Sequence, residues 1–64
     1  MKVREVIRIL EREGRRGVRQ GGSHRQFQHP TLPGAVTVAG ARSDELPRGT
    51  LASIWKQAHL RSRQ

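Results

Sequence analysis

The chain has 64 residues, with 13 Lys and Arg against 5 Asp and Glu, so its formal net charge is +8. A chain of this size forms one small domain, which excludes a second domain and a large enclosed substrate pocket. It has no cysteine, which excludes disulfides and thiolate metal sites, and no apolar run approaches the ~18 residues that cross a bilayer. We expect a basic cytoplasmic protein that is stabilised by a bound protein partner.

The N-terminal segment has the hydrophobic period of an amphipathic helix. Apolar residues recur at the spacing that places them on one helix face: Val3, Val6, Ile7 and Leu10. Gly14 follows them and is expected to end the helix. Acidic and basic residues are mixed through this segment, which is unlike a signal peptide.

The central segment changes to the two-residue period of β-strands. Val18 lies among short polar residues, and Phe27 lies between two glutamines. Val36 and Val38 then flank Thr37, which gives a third alternating run. Three short strands are therefore predicted here.

Turn residues separate these strands, and a second helix follows them. Gly21-Gly22 is suited to a tight hairpin, and residues 30–34 are suited to a longer turn. Apolar residues with helical spacing return near the C-terminus: Leu51, Ile54, Trp55 and Ala58. Thr50, after Pro47 and Gly49, is predicted to cap this helix with its hydroxyl.

The predicted fold is α+β, one small domain with the order helix, three antiparallel strands, helix. Both helices are expected to cover one face of the sheet and to leave the other face open to solvent. If Phe27 points into the core, strand alternation turns Arg25 and His29 the same way. The alternate residues then point outward: His24, Gln26 and Gln28. His24 is therefore expected to be exposed at the start of a strand.

The positive charge is concentrated in residues 14–30, which contain no acidic residue. This run contains four arginines and two histidines: Arg15, Arg16, Arg19, Arg25, His24 and His29. Such a run favours a nucleic acid as the partner over an ordinary solvated surface. A membrane surface is a weaker alternative, because the first helix has a charge-balanced polar face.

Few residues could support metal or nucleophilic chemistry. Outside the first helix the only acids are Asp44 and Glu45, which are neighbours and would point apart in an extended segment. The three histidines have no spacing typical of zinc ligands. Ser23 beside His24 would face the opposite way on an extended chain. We therefore expect no metal and no cofactor.

Metal-free RNA cleavage requires less than these mechanisms. The 2′-hydroxyl attacks the adjacent phosphate when a base removes its proton, an acid protonates the leaving oxygen, and cations stabilise the added charge. One exposed imidazole among arginines supplies much of this, because it exchanges its proton near neutral pH. The alternative for His24 is an ordinary polar residue at a strand start. His29 before Pro30 reads as a turn residue, and His59 reads as a cation at a helix C-terminus.

Residues 22–30 read Gly-Ser-His-Arg-Gln-Phe-Gln-His-Pro, which resembles the central motif of HicA-type mRNA interferase toxins. Residues 1–10 resemble the opening helix of that family, residues 36–38 its third strand, and residues 49–58 its closing helix. The resemblance covers residues 1–60 as one toxin domain and leaves residues 61–64 as a basic tail.

The resemblance implies a double-stranded-RNA-binding-like α-β-β-β-α fold and ribosome-independent cleavage of mRNA. It also implies a HicB-type antitoxin as partner. The histidine of the family's Gly-Ser-His motif is its catalytic residue, and it corresponds to His24 here. We expect RNA contacts from residues around it: Arg15, Arg16, Arg19, Ser23, Arg25 and Gln26.

The chain departs from the family pattern at two places. After Gly14 the family usually has an aromatic residue, whereas this chain continues with Arg15-Arg16-Gly17. A core anchor for the first strand is then missing unless Trp55 fills the gap. After the third strand the family often has Pro and a nearby His, and Ala39-Gly40-Ala41 stands here instead.

Two functions follow from these observations. The first is a toxin of a toxin–antitoxin pair that cleaves mRNA through His24, with Gly22 and Ser23 shaping the approach of the strand. The second is a catalytically weakened module of the same fold that binds RNA or the antitoxin without cutting. In either case an acidic antitoxin is expected to mask the arginine-rich segment.

Overall fold

The fold follows the predicted order of one helix, three strands and one helix. The computed structural model describes residues 1–21 and 24–59. Its elements are α1 (Val3–Arg12), β1 (Arg16–Gly21), β2 (His24–Gln28), β3 (Val36–Val38) and α2 (Arg48–Gln57). The strands form one antiparallel sheet in the order β1-β2-β3. The predicted α+β fold is confirmed, and the arrangement is consistent with a double-stranded-RNA-binding-like fold. The predicted tail at residues 61–64 lies outside the described residues.

Helix α1 forms where its hydrophobic period predicts it. All four residues of the apolar stripe are buried: Val3, Val6, Ile7 and Leu10. The helix ends before Gly14, which has a φ of +92°, a left-handed conformation that glycine adopts without steric cost. The Arg15 N–H then donates to the Leu10 carbonyl at 3.0 Å and closes the turn.

Helix α2 begins three residues earlier than the sequence predicts. The Leu51 N–H donates to the Pro47 carbonyl at 3.0 Å, so Pro47 is the N-cap residue and Arg48 is the first helical residue. The predicted cap by Thr50 is wrong, since Thr50 lies inside the first turn. The predicted apolar face is confirmed, because Leu51, Ile54, Trp55 and Ala58 are all buried.

The core lies between the two helices and one face of the sheet. Phe27, Val36 and Val38 supply the sheet side and are buried, whereas Thr37 between the valines is exposed. Gly17 lies opposite Phe27 in the β1–β2 pairing. A Cβ atom on Gly17 would come within 2.9 Å of the Phe27 ring, so the glycine lets the ring pack directly against β1.

The loop between β3 and α2 holds the N-terminus of α1. The Val3 N–H donates to the Asp44 carbonyl at 2.9 Å, and the Arg4 N–H donates to the Arg42 carbonyl at 3.0 Å. The terminal ammonium also pairs with the Glu45 carboxylate at 3.0 Å. These bonds satisfy N–H groups that the first helical turn leaves without a partner.

In the described part of the chain, no helix is long and apolar enough to cross a membrane.

Candidate functional site

His24 is the first residue of β2 and lies at the hairpin end of the sheet. It pairs with Gly21, after a register shift between Arg19 and Gly21. Gly22 and Ser23, which connect the two strands, lie outside the described residues. The side chain of His24 is exposed, which confirms the predicted position. Within the described part of the chain, no hydrogen bond or ion pair restrains its imidazole.

The outer face of the sheet continues from His24 as a polar surface. Gln26 pairs with Val18 on one side and with Thr37 on the other. Gln28, at the far end of β2, pairs with Arg16. These residues have the same strand parity as His24, opposite to that of buried Phe27. The open face predicted from the sequence is therefore present.

Two of the predicted RNA-contact residues lie on this outer face. Arg16 is exposed and Gln26 is half-buried. Ser23 and the side chain of Arg19 lie outside the described part of the structure. The outer face thus brings His24, Gln26 and Arg16 to one side of the sheet.

Arg25 lies on the opposite side of β2 from His24. Its guanidinium is half-buried, and Nη1 donates to the Gly40 carbonyl at 3.2 Å. Together with Arg42 it borders a groove between α1 and the sheet. Arg25 and His24 are adjacent in sequence, but strand alternation separates their side chains.

Arg15 does not contribute to the exposed basic surface that the sequence predicts, so its predicted surface contact with RNA is wrong for this conformation. The residue is only 2% exposed. Its Nη1 atom donates to the Phe27 carbonyl at 3.3 Å, whereas Nη2 is buried without a hydrogen-bond partner. Arg15 is buried because the turn after α1 directs it inward, with the same parity as Gly17. It occupies the position where an aromatic residue was expected from the family pattern.

His29 is a turn residue, as predicted. Its Nδ1 atom accepts hydrogen bonds from the N–H groups of Thr31 and Leu32, both at 3.1 Å. Since both backbone groups donate, Nδ1 has no proton in this conformation, and the ring proton is on Nε2. His59 follows the last residues of α2 and is exposed, with a φ of 59°.

The fold and this face define a class of small basic α-β-β-β-α protein with an exposed histidine on an open sheet. A comparison with protein families agrees: the family described as HicA toxin of bacterial toxin–antitoxin matches residues 3–60. The chain belongs to the HicA toxin family. It is therefore the toxin component of a toxin–antitoxin system and has a cognate antitoxin partner. A search of curated proteins finds no match.

Proposed function

We propose that this toxin is an endoribonuclease that cleaves mRNA without a metal ion, through the imidazole of His24. The observation that carries the proposal is the exposed position of His24 at the hairpin end of an open sheet face. The solvent-facing side of the sheet gives an RNA strand access to the ring. The imidazole acts as general acid or base in the attack of the 2′-hydroxyl on the adjacent phosphate.

The surrounding residues have different roles in this proposal. Arg16 and Gln26 share the outer face with His24 and bind the RNA backbone directly. Arg19 and Ser23 are proposed as further contacts near the hairpin. Arg25 is on the other side of β2, so it contributes positive potential to the region instead of a hydrogen bond beside His24.

The antitoxin is proposed to be an acidic HicB-type protein that covers the same face. Residues 14–30 contain four arginines and no acidic residue, and acidic groups of a partner would complement this charge. Covering His24 and Arg16 would exclude RNA. Inhibition would then require only occlusion, with no change in the toxin's fold.

The test is a cleavage assay of the purified protein on mixed mRNA in EDTA, with His24→Ala alongside. His59→Asn is the matched control, because His59 is also exposed and asparagine tolerates its left-handed backbone conformation. We expect His24→Ala to lose at least about a hundredfold in cleavage rate, as removal of a general acid or base does. His59→Asn should cleave at the wild-type rate.

RNA binding is measured on the same variants. Cleavage by His24→Ala at the wild-type rate, or loss of wild-type cleavage in EDTA, would contradict the proposal. The second candidate, a module that binds without cutting, is favoured by the lack of any described group that orients the His24 ring. It predicts no cleavage by either protein, with equal salt-dependent binding by both.

A further inference from the structure

A second basic groove lies at the end of the β1–β2 pair away from His24. It has a volume of about 660 Å³. The residues that matter to its chemistry come from the turn after α1 and the end of β2: Glu11, Gly14, Arg15, Arg16, Gln28 and His29. Since β1 and β2 run antiparallel with Arg16 opposite Gln28, the two strands bring these residues together.

Arg15 has a buried positive charge with incomplete hydrogen bonding. Its side chain makes one bond, to the Phe27 carbonyl, and its Nη2 atom is buried without a partner. No described carboxylate lies within ion-pair distance of it, Glu11 included. A buried guanidinium is costly unless an anion and further hydrogen bonds compensate for the lost water. Among the residues that the structure describes, this guanidinium therefore has no counter-ion.

Two neighbouring features also suit an anion. Because His29 Nδ1 accepts from the backbone, its Nε2 atom is a proton donor. That atom lies close to Gly14, where a Cβ atom would come within 3.2 Å of it, and both residues line the groove. Arg16 is exposed at the groove and adds a second guanidinium.

We propose that this groove binds a backbone phosphate of the RNA strand whose cleavage occurs at His24, with Arg15 as the principal ligand. The inference rests on the proposed function. His24 begins β2 and His29 directly follows it, five positions further along the chain, which corresponds to ~16 Å of extended chain. The subsite thus lies a few nucleotides from the cleaved bond. Arg15 and His29 have the strand parity of Phe27, so the RNA strand would pass from the outer face, at Arg16 and Gln28, around the end of the β1–β2 pair to reach them.

An RNA phosphate is favoured over a carboxylate of a partner protein because the groove reaches the edge of the outer face, on which His24 lies. Arg16 and Gln28 belong to both surfaces. Glu11 at the groove is exposed and would repel either anion at short range. Binding of phosphate requires Arg15 Nη2 to turn outward, which exchanges a buried unpaired donor for a charge-assisted bond.

The experiment measures binding of a short fluorescent RNA by anisotropy at several salt concentrations, with all variants made in His24→Ala so that the RNA stays intact. Arg15→Leu is compared with Arg8→Leu, which removes the same charge from an exposed position on α1. We expect Arg15→Leu to bind about tenfold more weakly than Arg8→Leu, the loss typical of a charge-assisted hydrogen bond. The slope of log K against log salt should fall by about 0.7 relative to the unmodified parent.

The melting temperature separates this role from a structural one. The substitution Arg15→Leu removes an unpaired buried charge, so the melting temperature of this variant should equal or exceed that of its parent. Equal RNA binding by Arg15→Leu and Arg8→Leu would overturn the proposal. Weaker binding to the antitoxin with unchanged RNA binding would also overturn it, and would assign the groove to the partner's carboxylates.

A second measurement tests the groove even if Arg15→Leu fails to fold. Inorganic phosphate is titrated into the wild-type protein and followed by NMR. Saturable shifts at Gly14, Arg15 and His29 are expected, and their absence would overturn the proposal. If neither the wild type nor His24→Ala binds RNA, the proposed function fails, and with it the RNA assignment. A loss of RNA binding that is confined to Arg15→Leu is distinct from that result, because the parent then still binds RNA.

Discussion

Gly17 and Phe27 face each other across β1 and β2, and their contact allows no side chain on β1 at this point. The Phe27 ring is buried and lies 2.9 Å from the position a Cβ atom on Gly17 would occupy. The ring cannot move outward without opening the core between the helices and the sheet. A single methyl group is therefore expected to disturb the packing of the whole inner face.

We predict that Gly17→Ala lowers the free energy of unfolding by about 1–3 kcal/mol, the usual cost of overpacking a core. The matched control is Gly49→Ala, because nothing lies within 4 Å of a Cβ atom there and Gly49 is helical. That control should be neutral or stabilising by up to about 1 kcal/mol. Urea denaturation of the two variants measures both values. Equal stability of the pair would contradict the tight Gly17–Phe27 contact.

At the level of elements, helix α2 begins at Arg48, before the start that the sequence predicts. A hydroxyl residue after Gly and Pro is typical of an N-cap, and Thr50 fits that pattern. The structure instead uses the Pro47 carbonyl, because proline has no N–H to satisfy and its extended backbone leads directly into the helix.

We predict that Thr50→Ala changes the free energy of unfolding by less than about 0.5 kcal/mol, as expected for an exposed residue that caps nothing. A true N-cap threonine would cost about 1 kcal/mol on the same substitution. Leu51→Ala, one residue further and buried, should cost about 2–5 kcal/mol. Thermal denaturation of the three proteins checks this order. A loss of 1 kcal/mol or more in Thr50→Ala would contradict this prediction and would indicate that the Thr50 hydroxyl caps the helix.

For the molecule as a whole, the excess of positive charge governs its interactions. The formal net charge of +8 is large for 64 residues, and such a protein attracts polyanions and acidic proteins over long distances. Binding of the antitoxin would neutralise part of this charge. It would also stabilise the toxin by mass action, because the antitoxin binds the folded toxin and not the unfolded chain.

We predict that the affinity of the toxin–antitoxin complex falls as salt rises from 50 to 500 mM, chiefly through slower association. Binding kinetics at several salt concentrations measure this dependence. Hydrogen exchange of the complex should show protection across residues 15–29. A complex indifferent to salt, or protection confined to other residues, would contradict masking of this face.

The sequence by itself determined the helices, the strand order and the outward position of His24. These features depend on hydrophobic period and on turn residues, which act over a few positions and are visible in any local segment. The motif in residues 22–30 also led to the family that the comparison then established. The catalytic role of His24 stays a prediction from that resemblance.

Only the tertiary structure decided which arginines face the solvent. Arg15 and Arg16 are neighbours with the same chemistry, yet one is buried against the Phe27 carbonyl and the other is exposed. Strand parity, counted from Phe27 through its partner Gly17, could have indicated the difference if the register had been known. Register and the closing turn after α1 depend on contacts between distant residues, so local sequence does not determine them.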